Sequence, residues 1–132
     1  MKLTAFVLLN LFIASAIVTA PANAEEHWGA LACGLWRNAN GVAQVAVGSA
    51  IDHKSESEAV EGALAQCRKA GGRDCQIEGN GAFNRGCGFI AAARDNSGMV
   101  WCTSRPTAAE ILAHCKANGR NCETPIGGCL PE

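Results

Sequence analysis

The chain has 132 residues, including 8 Cys, 15 Gly and 3 Trp, and its formal net charge is -1 at pH 7. This length allows one domain, and the near-neutral charge argues against nucleic acid or an anionic membrane as the main partner, because both require a basic surface. Eight Cys in so short a chain require either an oxidising compartment or a bound metal.

The first 24 residues have the features of a signal peptide. Lys2 supplies a positive charge, the segment 3–20 is almost free of polar side chains, and Ala22-Asn23-Ala24 presents the small residues that a signal peptidase reads. An apolar run of this length could also span a bilayer as an uncleaved anchor, but its small-residue ending favours cleavage after Ala24. We therefore expect a mature chain of residues 25–132 that is periplasmic or secreted, with no membrane contact after cleavage.

All eight Cys lie in this mature part, and an even number in a small exported domain is typical of a disulfide framework. Zinc is the alternative, but the chain has no Cys-x-x-Cys pair and no His at ligand spacing. We therefore predict four disulfides and no cofactor. The Cys concerned are Cys33, Cys67, Cys75, Cys87, Cys102, Cys115, Cys122 and Cys129.

The mature chain contains an internal repeat, at about residues 27–86 and 87–132. Segment 64–75 matches segment 112–122 with one residue fewer. Each copy reads as a small-residue strand, a turn with Asn or Asp and Gly, a second strand, and a helix that begins with a capping box at Ser55 or Thr107. We predict an α+β domain in which two ββα units form an antiparallel sheet packed against two helices.

The repeat narrows the pairing of the Cys without determining it, since eight Cys allow 105 pairings. Cys67, Cys75 and Cys87 of the first unit correspond to Cys115, Cys122 and Cys129 of the second. Cys33 and Cys102 lie outside this pattern, in or beside predicted strands. We predict that these two form a bridge between the two hairpins.

Three segments of the chain share a pattern with a known family. They are His27-Trp28-Gly29-Ala30-Leu31-Ala32, Ala63-Leu64-Ala65-Gln66-Cys67 and the run 82–91, Ala-Phe-Asn-Arg-Gly-Cys-Gly-Phe-Ile-Ala. This pattern resembles the family catalogued as domain of unknown function 4189, although two residues rather than one separate Asn84 from Cys87, and Cys33 and Cys102 are additional. The resemblance implies a small secreted or periplasmic bacterial protein with no assigned enzymatic activity, so no catalytic residue carries over.

The sequence shows no convergent catalytic motif. Asp52 and His53, with Ser49 or Ser55, form the one local group of the kind that nucleophilic catalysis needs, and a polar loop between a strand and a helix explains it more simply. With all Cys oxidised, no thiolate nucleophile remains. We therefore expect a protein that is not an enzyme, with a small hydrolase as an alternative.

Cleavage after Ala24 would place His27 third in the mature chain. The free amine of Glu25, two amides and the His27 imidazole would then offer four nitrogens for square-planar Cu(II) or Ni(II). Chance placement of one His explains the same pattern, and Trp28, which we expect to anchor the first strand, would constrain His27. A metal-binding protein of the cell envelope is therefore a second alternative.

Trp36 and Arg37 are the candidate interface residues. They lie between two predicted strands, and aromatic and Arg side chains are typical interface anchors. Trp36 has a second interpretation, in which it folds over the end of the hairpin and covers a core of small residues. The function that this favours is an exported, disulfide-stabilised, non-catalytic module that binds a protein partner, such as an inhibitor or a host-facing factor. The sequence does not indicate an oligomeric state.

Overall fold

The structure is a computed structural model that describes residues 25–79 and 81–132, so the predicted signal peptide and its cleavage site lie outside the described residues. Its strand pairs are antiparallel and two helices pack on the sheets, which confirms the α+β class. Within these residues, no helix is long and apolar enough to cross a membrane. The elements in chain order are β1 (Trp28–Arg37), β2 (Ala43–His53), α1 (Glu56–Lys69), β3 (Gln76–Ile77), β4 (Cys87–Arg94), β5 (Val100–Arg105), α2 (Ala108–Ala117), β6 (Asn121–Cys122) and β7 (Ile126–Cys129).

The strands form two sheets, where the sequence predicts one. In the first sheet β1 lies between β2 and β3, and in the second sheet β4 pairs with β5 on one side and with β6 and β7 on the other. α1 packs on the first sheet and α2 on the second, so the helices cover the two outer faces. The inner faces meet through a cluster that contains Leu31, Cys33 and Ile90.

The alternation of side chains along β1 explains this layering. Ala30 and Ala32 point toward α1, whereas Leu31 and Cys33 between them point toward the second sheet, and all four are buried. A strand with apolar side chains on both faces must be covered on both faces. The layer order is therefore α1, first sheet, second sheet and α2.

Small residues bring α1 unusually close to the first sheet. Ala46 and Ala50 of β2 pack against Ala59 and Ala63 of α1. A Cβ atom at Gly48 would overlap the main chain of α1 at Ala63 and at Cys67. The backbones of β2 and α1 are therefore in contact, which is why the buried positions of this cluster are Ala and Cys.

Both helices begin at the predicted caps. The Ser55 hydroxyl accepts a hydrogen bond of 3.1 Å from the Glu58 amide at the start of α1. At α2 the capping box is complete, since Thr107 accepts from the Glu110 amide and the Glu110 carboxylate accepts from the Thr107 amide, each at 3.1 Å. In the described structure, α1 has only the first half of its box.

The eight Cys form four disulfides, as the sequence predicts. The predicted Cys33–Cys102 bridge is confirmed: it joins β1 to β5 through the layer between the sheets. Cys67–Cys75 and Cys115–Cys122 are equivalent bridges, and each joins a helix to the segment that follows it. Cys87–Cys129 joins β4 to β7.

Phe83 connects two of the motif segments. Its main chain exchanges two hydrogen bonds of 2.8 Å with Gly29 at the start of β1. Its ring covers both Gly29 and Gly88, because a Cβ atom at Gly88 would lie 2.8 Å from the ring and one at Gly29 would overlap it. Both positions therefore require glycine, because a side chain at either one would occupy the space of the Phe83 ring.

We predict that removing the Cys33–Cys102 bridge destabilises the protein more than removing Cys115–Cys122. The chain-entropy relation gives about 4.4 kcal/mol for a bridge across 69 residues and about 2.4 kcal/mol for one across 7 residues. The paired variant Cys33→Ala with Cys102→Ala should therefore lose about 2 kcal/mol more unfolding free energy than Cys115→Ala with Cys122→Ala. Urea denaturation of both variants measures the difference, and an equal loss would contradict it.

A second prediction concerns the packing of the Phe83 ring against Gly88. Gly88→Ala should lower the unfolding free energy by about 1–3 kcal/mol, because the new methyl group forces the ring to move. In a Phe83→Ala background the same change should have almost no effect. A double-mutant cycle in urea measures this coupling, and an equal loss in both backgrounds would show that the ring is not the cause.

Candidate functional site

The two long hairpins end side by side at one end of the molecule. The β1–β2 hairpin turns at residues 38–42, and the β4–β5 hairpin turns at 95–99. Arg94 of the second hairpin donates a hydrogen bond of 2.8 Å from Nη2 to the carbonyl of Ala43 in the first. This contact, between residues 51 positions apart, holds the two tips together.

The two turns are built in the same way. The Asn38 side chain accepts hydrogen bonds from the Asn40 and Val42 amides, both at 3.0 Å. The Asp95 carboxylate accepts from the Ser97 amide at 2.8 Å and from the Met99 amide at 3.1 Å. Side chains of this kind stabilise a turn by accepting from main-chain amides a few residues later. The internal repeat therefore extends to the chemistry of the turns.

The Arg before each turn is also equivalent in the two units. Arg37 donates from Nη1 to the Gly41 carbonyl at 2.8 Å, and Arg94 donates from Nη1 to the Gly98 carbonyl at 3.2 Å. Each guanidinium is thus folded back over its own turn. Two cationic groups consequently border the same end of the molecule.

Exposed apolar side chains are concentrated between these tips. Of the four large hydrophobic residues that are exposed in the described structure, three lie here: Leu35 (49%), Val42 (47%) and Met99 (58%). The fourth, Leu112 (50%), lies on α2. A shallow cavity of about 310 Å³ opens between the two hairpins. We call this surface the hairpin-tip patch and define it as Leu35, Trp36, Arg37, Val42, Ala43, Met99 and Val100.

Trp36 lies within β1, where it pairs with Gln44, and not between two strands as the sequence predicts. Its surroundings are compatible with both interpretations of this residue. It is half-buried and packs against the core cluster beneath α1, so it covers small residues at the end of the hairpin. It also lines the cavity of the hairpin-tip patch beside the exposed Arg37. Trp101, which the strand pattern places in the core, is instead only half-buried, and the Arg120 guanidinium lies 4.0 Å from its ring centre.

Two guanidinium groups, Arg37 in the patch and Arg94 beside it, give this end of the molecule a positive charge. The pKa of Asp95 is lowered, first by the hydrogen bond from the Ser97 hydroxyl and also by the amides of Met99, Ser97 and Gly98. That carboxylate is therefore committed to its own turn. Among the described residues, neither Arg37 nor Arg94 forms an ion pair with a carboxylate.

The predicted group around Asp52 and His53 is not assembled as a catalytic set. Asp52 contacts Nδ1 of His27, whereas the His53 imidazole lies against α1, where a Cβ atom at Gly62 would be 3.4 Å away. Ser55 serves as the N-cap of α1, and the Ser49 amide donates to the Gln66 side chain. Asp52, the residue before the end of β2, has a φ of 64°, a left-handed conformation that is uncommon outside glycine.

The predicted metal site at His27 depends on cleavage after Ala24, which lies outside the described residues. In the structure, Nδ1 of the His27 imidazole contacts the Asp52 carboxylate, so binding of a metal ion through that nitrogen would require this contact to break. His27 borders an open cleft of about 890 Å³ that is also lined by Glu25, Glu26 and Lys54. In the described part of the chain, no group of three or more His, Cys, Asp or Glu is arranged to hold a metal ion.

Met99 and Arg94 lie at this surface with Trp36 and Arg37, but only Trp36 and Arg37 are candidates from the sequence. A signal for Met99 and Arg94 was present, because the repeat aligns Arg94 with Arg37 and Met99 with Val42 around equivalent turns. The repeat does not predict that the two turns contact each other, as they do through Arg94 and Ala43.

Comparison with known proteins gives a family and no further relative. A family model described as Domain of unknown function (DUF4189) matches residues 28–129, from the start of β1 to the end of β7. No curated protein matches the chain, and no solved structure does.

We predict that Asp95 stabilises the fold in a pH-dependent way. Its pKa is lowered in the folded protein, so its contribution is present above the ordinary value of 3.8 and is lost as the pH falls through the folded pKa. Asp95→Asn restores the residue type found at Asn38, so the turn is retained without the charge. The stability difference between wild type and variant should shrink between about pH 6 and pH 2.

Urea denaturation across that pH range measures the difference, and NMR titration gives the pKa of Asp95 directly. A midpoint at or above 3.8 would contradict the role of the Ser97 hydroxyl and the turn amides.

Proposed function

The chain belongs to the DUF4189 family, and we propose that it is an exported, non-catalytic module that binds a protein partner through the hairpin-tip patch. The observation that supports this proposal is that three exposed apolar side chains, Leu35, Val42 and Met99, lie at one end of the molecule. Contiguous apolar surface with a polar rim is characteristic of protein interaction sites. A single exposed apolar residue such as Leu112 needs no such explanation.

The charge of the patch specifies the chemistry of the partner. Arg37 is exposed and Arg94 is half-buried, and within the described residues both donate to carbonyls rather than to carboxylates. Charges across an interface are arranged to be complementary. The partner therefore presents an apolar side chain to the cavity and carboxylates to its rim.

The framework of the protein supports export and binding. Four disulfides suit an oxidising compartment, in agreement with the predicted signal peptide. One of them, Cys33–Cys102, joins the two hairpins, and Arg94 bonds to Ala43 beside the tips, so the two turns are held near each other before a partner binds. A preorganised surface loses less conformational entropy on binding than a mobile one.

Two matched variants test the proposal. Met99→Glu places a carboxylate in the patch, and Leu112→Glu makes the same change at a similarly exposed apolar residue on α2. We expect Met99→Glu to weaken the complex with the natural partner by at least about tenfold, which is about 1.4 kcal/mol, while Leu112→Glu has little effect. Because both sites are exposed, both variants should keep wild-type stability within about 0.5 kcal/mol.

The partner is recovered by affinity capture from the exported fraction of the producing cells, and its dissociation constant is measured by calorimetry. Equal binding by wild type and Met99→Glu, with both proteins folded, would remove the patch as the docking surface.

A further inference from the structure

The main chain of β2 alternates between paired and outward-facing residues. The Asn38 amide donates to the Val42 carbonyl at 3.0 Å beside the turn, so the bonded pairs of the hairpin continue at every second residue. Gln44, Ala46 and Gly48 are therefore bonded to β1. The N–H and C=O groups of the residues between them point away from β1.

Nothing in the sheet meets these outward groups, because β2 is an edge strand of the first sheet. The two ends of the row are nevertheless occupied by side chains. At one end the Ala43 carbonyl accepts from Arg94 at 2.8 Å. At the other end the Ser49 amide donates to the Gln66 side chain of α1.

Val45 and Val47 lie between these two ends. In the part of the chain that the structure describes, their outward N–H and C=O groups make no hydrogen bond to another strand, and the side chains of Arg94 and Gln66 bond to Ala43 and Ser49 instead. Their side chains pack into the layer between the sheets, and the intervening Ala46 is buried beneath α1. The open stretch is therefore a rigid template of two N–H and two C=O groups.

We propose that this open stretch, Val45–Val47, receives an extended segment of the protein partner, which pairs with β2 and adds a strand to the first sheet. The inference rests on the proposed function, since it describes how the same partner binds. Main-chain pairing with an exposed sheet edge is an established mode of peptide recognition. It requires a template that is held in place, as these two residues are.

The charge beside the template defines the occupant further. Ala43 belongs to both the hairpin-tip patch and the outward row of β2, so the two surfaces are continuous. Arg94 lies at their junction and, among the described residues, has no carboxylate partner. The bound segment therefore carries a carboxylate next to its paired residues, followed by an apolar side chain that enters the patch.

The test uses the disulfide-bonded protein purified after export and linear 12-residue peptides selected on it from a phage-displayed random library. In the free protein, the Val45 and Val47 amides should exchange with solvent at least about 100-fold faster than those of Ala46 and Gly48, which are bonded to β1. A bound peptide should slow exchange at Val45 and Val47. Enriched peptides should share an acidic residue beside an alternating apolar run.

A proline pair supplies the mutational test. Val47→Pro removes an outward N–H, and edge strands tolerate proline where the N–H faces solvent. We expect it to weaken peptide binding at least about tenfold. Ser104→Pro removes an outward N–H from β5, the edge of the second sheet, and should change binding less than about twofold. If Val47→Pro does not fold, hydrogen exchange of the wild-type Val45 and Val47 amides with and without peptide tests the strand addition.

The outcomes separate the strand addition from the proposed function. If Met99→Glu abolishes peptide binding while Val47→Pro does not, and Val45 and Val47 stay unprotected, the patch binds but strand addition is wrong. If no peptide is enriched, strand addition is likewise overturned. If the same amides become protected in free protein as its concentration rises, the occupant is a second copy of this chain, and the partner segment is overturned.

Discussion

The Cys33–Cys102 disulfide is the constraint on which the rest of the structure depends. Of the four disulfides, it alone joins the β1–β2 hairpin to the β4–β5 hairpin, and it does so inside the layer between the sheets. A ββα unit covered by a helix on one face still exposes an apolar inner face, and each unit covers that face of the other. Fixing β1 against β5 sets how the hairpins lie over one another. The contact from Arg94 to Ala43 and the patch between the tips follow from that placement.

Small residues make this covalent link necessary. The cluster beneath α1 consists of Ala and Cys at its fully buried positions, and each Ala removes little apolar surface from water compared with Leu or Phe. What the Ala and Gly provide is close approach, as at Gly48 against α1. A chain of this size buries a smaller share of its surface than a large domain does, so disulfides supply stability that the core lacks. The same framework keeps the tips ordered for binding.

Much of this fold was predictable from the sequence because it is local. The caps at Ser55 and Thr107 and the turns at Asn38 and Asp95 depend on residues within a few positions of one another. The Cys33–Cys102 pairing is not local, and its prediction depends on these two Cys lying outside the repeat pattern, in or beside predicted strands. The second sheet was missed, although the unbroken apolar run of β1 already indicated a strand covered on both faces. The exposure of Met99 and the contact of His27 with Asp52 depend on segments that only the folded chain brings together, so no local pattern shows them.

The most direct measurement of the central claim is site-specific photo-crosslinking in the producing cells, with the reactive side chain placed at Leu35 in one experiment and at Leu112 in another. Both residues are about half exposed, so both side chains can reach a partner without disturbing the core. We expect a covalent adduct with one protein from position 35 and none from position 112. Adducts of equal yield from both positions, or an adduct from position 112 alone, would contradict a docking surface at the hairpin tips.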